Sequence, residues 1–128
     1  MRDELPPASP RLPDDVLARC ASLPKKPAAA VLRDERCSLE PLDLDRDTHA
    51  LHSISSGPDS EARIWRYMSA GPFASADDLR AWLAVQQDAA DGRPWVVRDP
   101  SGVAVGVMNL IANQPAHLKV ELGTIWYG

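Results

Sequence analysis

The chain has 128 residues, 45% hydrophobic and 25% charged, with a formal net charge of -4. This describes one globular domain or part of one, and the acidic balance excludes the basic face on which a dedicated nucleic-acid binder depends. No apolar run reaches membrane-spanning length and the start, M-R-D-E-L-P-P-A-S-P, has no secretory pattern, so a cytoplasmic protein without a nucleic-acid or membrane partner is expected.

Half of the twelve prolines lie between Pro6 and Pro27, so residues 1–30 read as an extended, weakly structured leader. One short helix fits inside it. Pro13 suits a first helical position, Asp14 and Asp15 suit the positive end of the dipole, and Val16, Leu17, Cys20 and Ala21 share a face. Cys20 and Cys37 have no metal or redox spacing and are too few for a disulfide framework.

The ordered domain is expected over 31–128. Residues 36–42 give a short strand, 43–53 a helix with Leu44, Thr48, Leu51 and His52 near one face, and Glu61–Met68 a helical turn or two ended by Gly71-Pro72. The clearest local signal follows. Ser75 is a good N-cap, Asp78 completes a variant capping box, and Leu79, Trp82, Leu83 and Gln86 recur at helical spacing up to Asp91-Gly92.

Strands come next. Trp95–Arg98 is short and apolar, and Asp99-Pro100-Ser101-Gly102 is a turn. Val103–Ala112 is apolar in both phases, the pattern of a central strand covered on both sides, and 113–116 is a loop. Leu118, Val120 and Leu122 alternate with Lys119, Glu121 and Gly123, and the phase then shifts at Gly123-Thr124, which predicts a bulge or a close backbone approach.

Four stretches carry a family likeness: W-R-Y-M-S-A-G-P-F (65–73), S-A-D-D-L-R-A-W-L (75–83), G-R-P-W-V-V-R-D-P-S-G-V-A-V-G (92–106) and V-E-L-G-T-I-W-Y-G (120–128). In this order, the chain from Arg36 to Gly128 resembles the GNAT N-acetyltransferases, in the branch of ribosomal-protein-alanine acetyltransferase-like proteins. The resemblance implies an α/β (α+β) fold seen as its amino-terminal half: a strand, helices, then three antiparallel strands, incomplete at the carboxyl end. The loop that holds the cofactor pyrophosphate would follow. Asp34-Glu35-Arg36 stands where many relatives carry a glycine.

The resemblance further implies acetyl transfer from acetyl-CoA to a primary amine. Ile125, Trp126 and Tyr127 correspond to the strand whose free backbone N–H groups face the pantetheine and the acetyl carbonyl. Glu121 corresponds to a carboxylate near the amine, a candidate base; the same position also suits a solvated or cross-strand-paired carboxylate. Trp65, Tyr67, Phe73 and Asn109 are candidates for the acceptor pocket, with membership of the core as the alternative. His49 and His52 lack a third ligand, so no metal is expected. Two other readings stay open: a non-catalytic half-domain that binds a partner, or self-associates, through its open strand edge, and an inactive fragment.

Overall fold

The helix from Ala76 to Asp88 (α4) follows from its local chemistry, as a computed structural model describing residues 8–128 shows. The Ser75 Oγ accepts the Asp78 backbone N–H at 3.1 Å, and Leu79 and Leu83 are fully buried. Ser75→Ala is expected to lower stability by about 1 kcal/mol, the usual worth of such a cap, measured by urea unfolding. The helix ends at Asp88, before the expected Asp91-Gly92. The Lys26 ammonium donates to the Gln87 and Ala89 carbonyls and caps that end.

The helix Leu44–Ser55 (α2) starts at Asp43, whose carboxylate accepts the Asp45 and Arg46 backbone N–H groups at 3.0 Å. Its buried face is Asp47, Thr48, Leu51 and Ser55, so Asp47 and Ser55 complete the face that His52 was expected to share. His52 is half-buried, with Nε2 3.0 Å from the Phe73 carbonyl. A short helix, Ser60–Arg63 (α3), and a 3-10 turn, Trp65–Tyr67, lead to α4.

Five strands form one sheet, each antiparallel to its neighbour, in chain order: β1 (Leu32–Arg33), β2 (Ser38–Pro41), β3 (Arg93–Arg98), β4 (Ala104–Gln114) and β5 (Lys119–Tyr127). β4 continues two residues past its expected end, and a 3-10 turn, Pro115–His117, joins it to β5. Helices α2 and α4 cover one face. The core there comprises Leu42, Leu51, Trp65, Leu79, Leu83, Val96, Ala104, Val107 and Trp126.

The two-sided apolar pattern of β4 is not matched by helices on both faces. On the second face Met108 and Leu110 are half-buried, and Val120, Leu122 and Tyr127 are exposed. What the second face does receive comes from the leader. After the helix Asp14–Ala18 (α1), residues 24–30 lie along β3 and β4. The Asn113 amide donates to the Pro24 and Lys25 carbonyls, the Arg93 guanidinium to Pro27, and the Trp95 indole to Ala30 at 2.8 Å. Side chains of the sheet thus satisfy a proline-rich backbone that has few donors of its own. Residues 1–7, the first part of the expected leader, lie outside the described residues. No helix among the described residues is long and apolar enough to cross a membrane.

Candidate active site

The site is built by a break in the pairing of β4 with β5. Val107 pairs with Trp126 and Asn109 with Gly123, so Thr124 and Ile125 together oppose the single residue Met108. This is a bulge, and Thr124 takes a left-handed backbone with φ of 48°. It falls at the Gly123-Thr124 phase shift, as expected from the sequence. Its consequence is a change of face. Strict alternation from Leu122 would send Trp126 to the second face; the extra residue turns it into the helix-side core, where it is 3% exposed. Gly106, opposite Tyr127, lets the strands close at this point, because a Cβ there would collide with the Trp126 carbonyl oxygen.

Trp126 joins a cluster of rings. Its centroid lies 5.2 Å from that of Trp65, which meets Phe73 edge-on at 5.2 Å and Trp82 at 5.9 Å. The Trp65 indole donates to the Ser55 carbonyl at 2.8 Å. Trp65 is therefore a member of the core, while Phe73 also lines an open groove of about 340 Å³ with Ser56, Gly57, Ser60, Pro72 and Ala74.

Tyr67 does not join them. It is 91% exposed, with the Arg66 guanidinium 5.9 Å from its ring centroid. The 3-10 turn Trp65–Tyr67 sends Trp65 into the core, and Tyr67, two residues on, is left in solvent. Asn109 does not reach the surface either. It is 1% exposed and donates to the Gln86 side-chain oxygen at 2.6 Å, so it belongs to the interior beneath α4.

Of the three backbone candidates, Ile125 sits in the bulge and is 37% exposed, Trp126 is buried, and Tyr127 lies on the second face. Glu121 pairs with Ile111, on the helix side of β5 and about 7 Å along the strand from Gly123. It is exposed, and its carboxylate meets Lys119 Nζ at 2.9 Å. A carboxylate that keeps access to water can accept a proton and pass it on.

A charge cluster that no sequence pattern marks lies on the helix-covered face, at the β2–β3 end of the sheet beneath α2. Arg98 donates to Glu40 at 2.8 Å and to Asp47; Arg46 also donates to Asp47 at 2.9 Å. The Arg98 hydrogen bond holds Glu40 below its ordinary carboxyl value. Burial pushes Asp47 up, but hydrogen bonds from Arg46, the Asp43 backbone and Arg98 outweigh it and leave this carboxyl lowered. A polar groove of about 370 Å³ adjoins this cluster, lined in part by Arg33, Asp34, Cys37 and Ser101. It lies at the β1–β3 side and has no part in the bulge. Among the described residues no three His, Cys, Asp or Glu side chains gather as a metal site.

No protein-family model and no curated protein matches the chain. Solved structures do. A GCN5-related N-acetyltransferase from Brucella melitensis superposes with a TM-score of 0.72 at 25% identity, over 80% of this chain and 46% of that one. The fold is that of the GCN5-related N-acetyltransferases. A probable acetyltransferase of this GNAT family from Chromobacterium violaceum ATCC 12472 matches with a TM-score of 0.71 at 31% identity, over 80% of this chain and 54% of that one. The chain thus spans about half the length of these GNAT structures.

Proposed function

We propose that the protein transfers an acetyl group from acetyl-CoA to a primary amine, in the branch of ribosomal-protein-alanine acetyltransferase-like enzymes. The observation that carries this reading is the β5 bulge in a sheet whose structural neighbours are GNAT N-acetyltransferases. Thr124 and Ile125 are outside the regular ladder, so their backbone N–H groups are candidates to receive an acceptor from a ligand. These residues fit a thioester: within the Ile125–Tyr127 segment, the Ile125 N–H, outside the ladder, would polarise its carbonyl as it becomes tetrahedral.

Acetyl-CoA supplies an activated acyl group. The amine nitrogen forms a bond to the carbonyl carbon, the carbon–sulfur bond breaks, and the electron pair leaves on the thiolate. Glu121, directly or through a water, takes the proton lost by the amine; its exposure lets that proton pass to solvent. The groove beside Phe73 is the acceptor's approach, with Trp65 fixing Phe73 from beneath. A cytoplasmic setting suits this co-substrate.

The test is thiol release from acetyl-CoA with a panel of primary amines. Glu121→Gln is expected to lower kcat/KM by about 10²–10⁴-fold at neutral pH, the range for loss of a general base. An unchanged rate would remove Glu121 from this role. A second reading, a binding module that accepts a strand at β5, draws on the exposure of Val120, Leu122 and Tyr127. It gains if the chain self-associates in sedimentation and shows no acetyl transfer.

A further inference from the structure

Beside the bulge, two buried polar atoms have no partner among the described protein groups: the Asn109 side-chain oxygen and the Trp126 indole nitrogen. They lie on the same face of the sheet. Trp126 is opposite Val107, and Asn109 is two residues along β4 from it, so the two side chains are diagonal neighbours on adjacent strands. Such neighbours are within reach of each other when the side chains are long.

The orientation of the Asn109 amide follows from its surroundings. The Gln86 amide nitrogen donates to the Trp82 carbonyl at 3.4 Å, which leaves the Gln86 oxygen to accept from Asn109 at 2.6 Å. The Asn109 amide nitrogen is thereby the group that faces Gln86, and its oxygen is left without a partner. That oxygen can only accept, and an indole N–H can only donate. The pair is one donor and one acceptor at neighbouring positions, both enclosed, and leaving both unmade is costly.

We propose that one water molecule is held here, accepting from the Trp126 indole and donating to the Asn109 oxygen. The enclosure sets the size of the ligand, since both atoms are shut off from the surface and each residue is at most 3% exposed. Two polar partners meet the minimum that a buried water needs, and its remaining capacity is available to the backbone of the bulge. Gln86, Asn109, the water and Trp126 then form a chain that ties α4 to the irregular segment of β5. Asn109 and Gln86 become positioning residues for that segment. The water site stands on this geometry alone, whereas its value to catalysis rests on the acetyl-transfer reading.

The experiment is water-to-protein magnetisation transfer on the assigned nitrogen-15-labelled chain, without acetyl-CoA. The Trp126 indole N–H is expected to show a cross-peak to a long-lived water. The Trp65 indole, bonded to the Ser55 carbonyl, is the internal control and should show none. Asn109→Leu should abolish the Trp126 cross-peak. Trp126→Phe and Asn109→Leu should each raise the unfolding constant about tenfold, with the double variant well below the product because the partner is shared. Absence of the cross-peak in the parent, its persistence in Asn109→Leu, or a direct bond from the indole to the Asn109 amide would overturn the proposal. The parent spectrum decides even if a variant does not fold, and none of these outcomes depends on acetyl transfer.

Discussion

Asp47→Ala is expected to destabilise the chain by about 3–5 kcal/mol in urea unfolding, the cost of removing one partner from a buried ion pair. Asp47 is 1% exposed and accepts from two arginines, on its own helix and on β3. Its loss leaves Arg98, only 12% exposed at its side chain, with Glu40 as its remaining carboxylate partner. Replacing both partners by apolar residues, Asp47→Leu with Arg98→Met, should cost less than the sum of the two single changes, because no charge is then stranded. A single variant within about 0.5 kcal/mol of the parent, the range of ordinary surface substitutions, would contradict this account.

The same cluster sets an acid limit. Asp47 and Glu40 both have folded carboxyl values below the ordinary ones. The folded state therefore favours their charged forms. Their contribution is fully present above the unfolded carboxyl range, about 4, and is lost as the pH falls through that range toward the folded values. Stability should be flat from neutral pH to about 5 and fall below it, more gently in Asp47→Ala.

Trp65→Ala should be of similar size, about 3–5 kcal/mol, as for other buried large aromatic truncations. Trp65 is the hub of the ring cluster, in contact with Phe73, Trp82 and Trp126. It also packs against Gly71, where any Cβ would strike the indole. Trp65→Phe separates the two contributions. It keeps an aromatic ring but leaves the Ser55 carbonyl unpaired, and should cost about 1–3 kcal/mol. Near-ultraviolet circular dichroism should lose most of its intensity in the alanine variant. Retention of the full signal would mean that the rings are not packed on one another.

The elements legible in the sequence were those written in local chemistry. Ser75 caps α4 through the Asp78 backbone N–H, Asp99-Pro100-Ser101-Gly102 makes the β3–β4 turn, and the phase shift at Gly123-Thr124 marks the bulge. What was not legible depends on distant partners. Asp47 is absent from the helix face expected over 43–53, because Arg98, 51 positions away, is what makes its burial tolerable. The leader read as weakly structured, because its hydrogen bonds come from Arg93, Trp95 and Asn113. Spacing grouped Trp65, Tyr67 and Phe73, whereas a 3-10 turn separates Tyr67 from the other two. Asn109 read as a possible cleft residue, and only the fold places Gln86 above it.

Whether the β5 bulge receives the thioester is decided by titrating the nitrogen-15-labelled chain with acetyl-CoA to millimolar concentration, beside adenosine 3′,5′-bisphosphate, which lacks the pantetheine arm. Acetyl-CoA is expected to shift the amides of Thr124 to Tyr127, and the bisphosphate to leave them in place. Saturable shifts confined to the groove at Arg33 and Ser101, or none at the bulge, would contradict that role for the bulge.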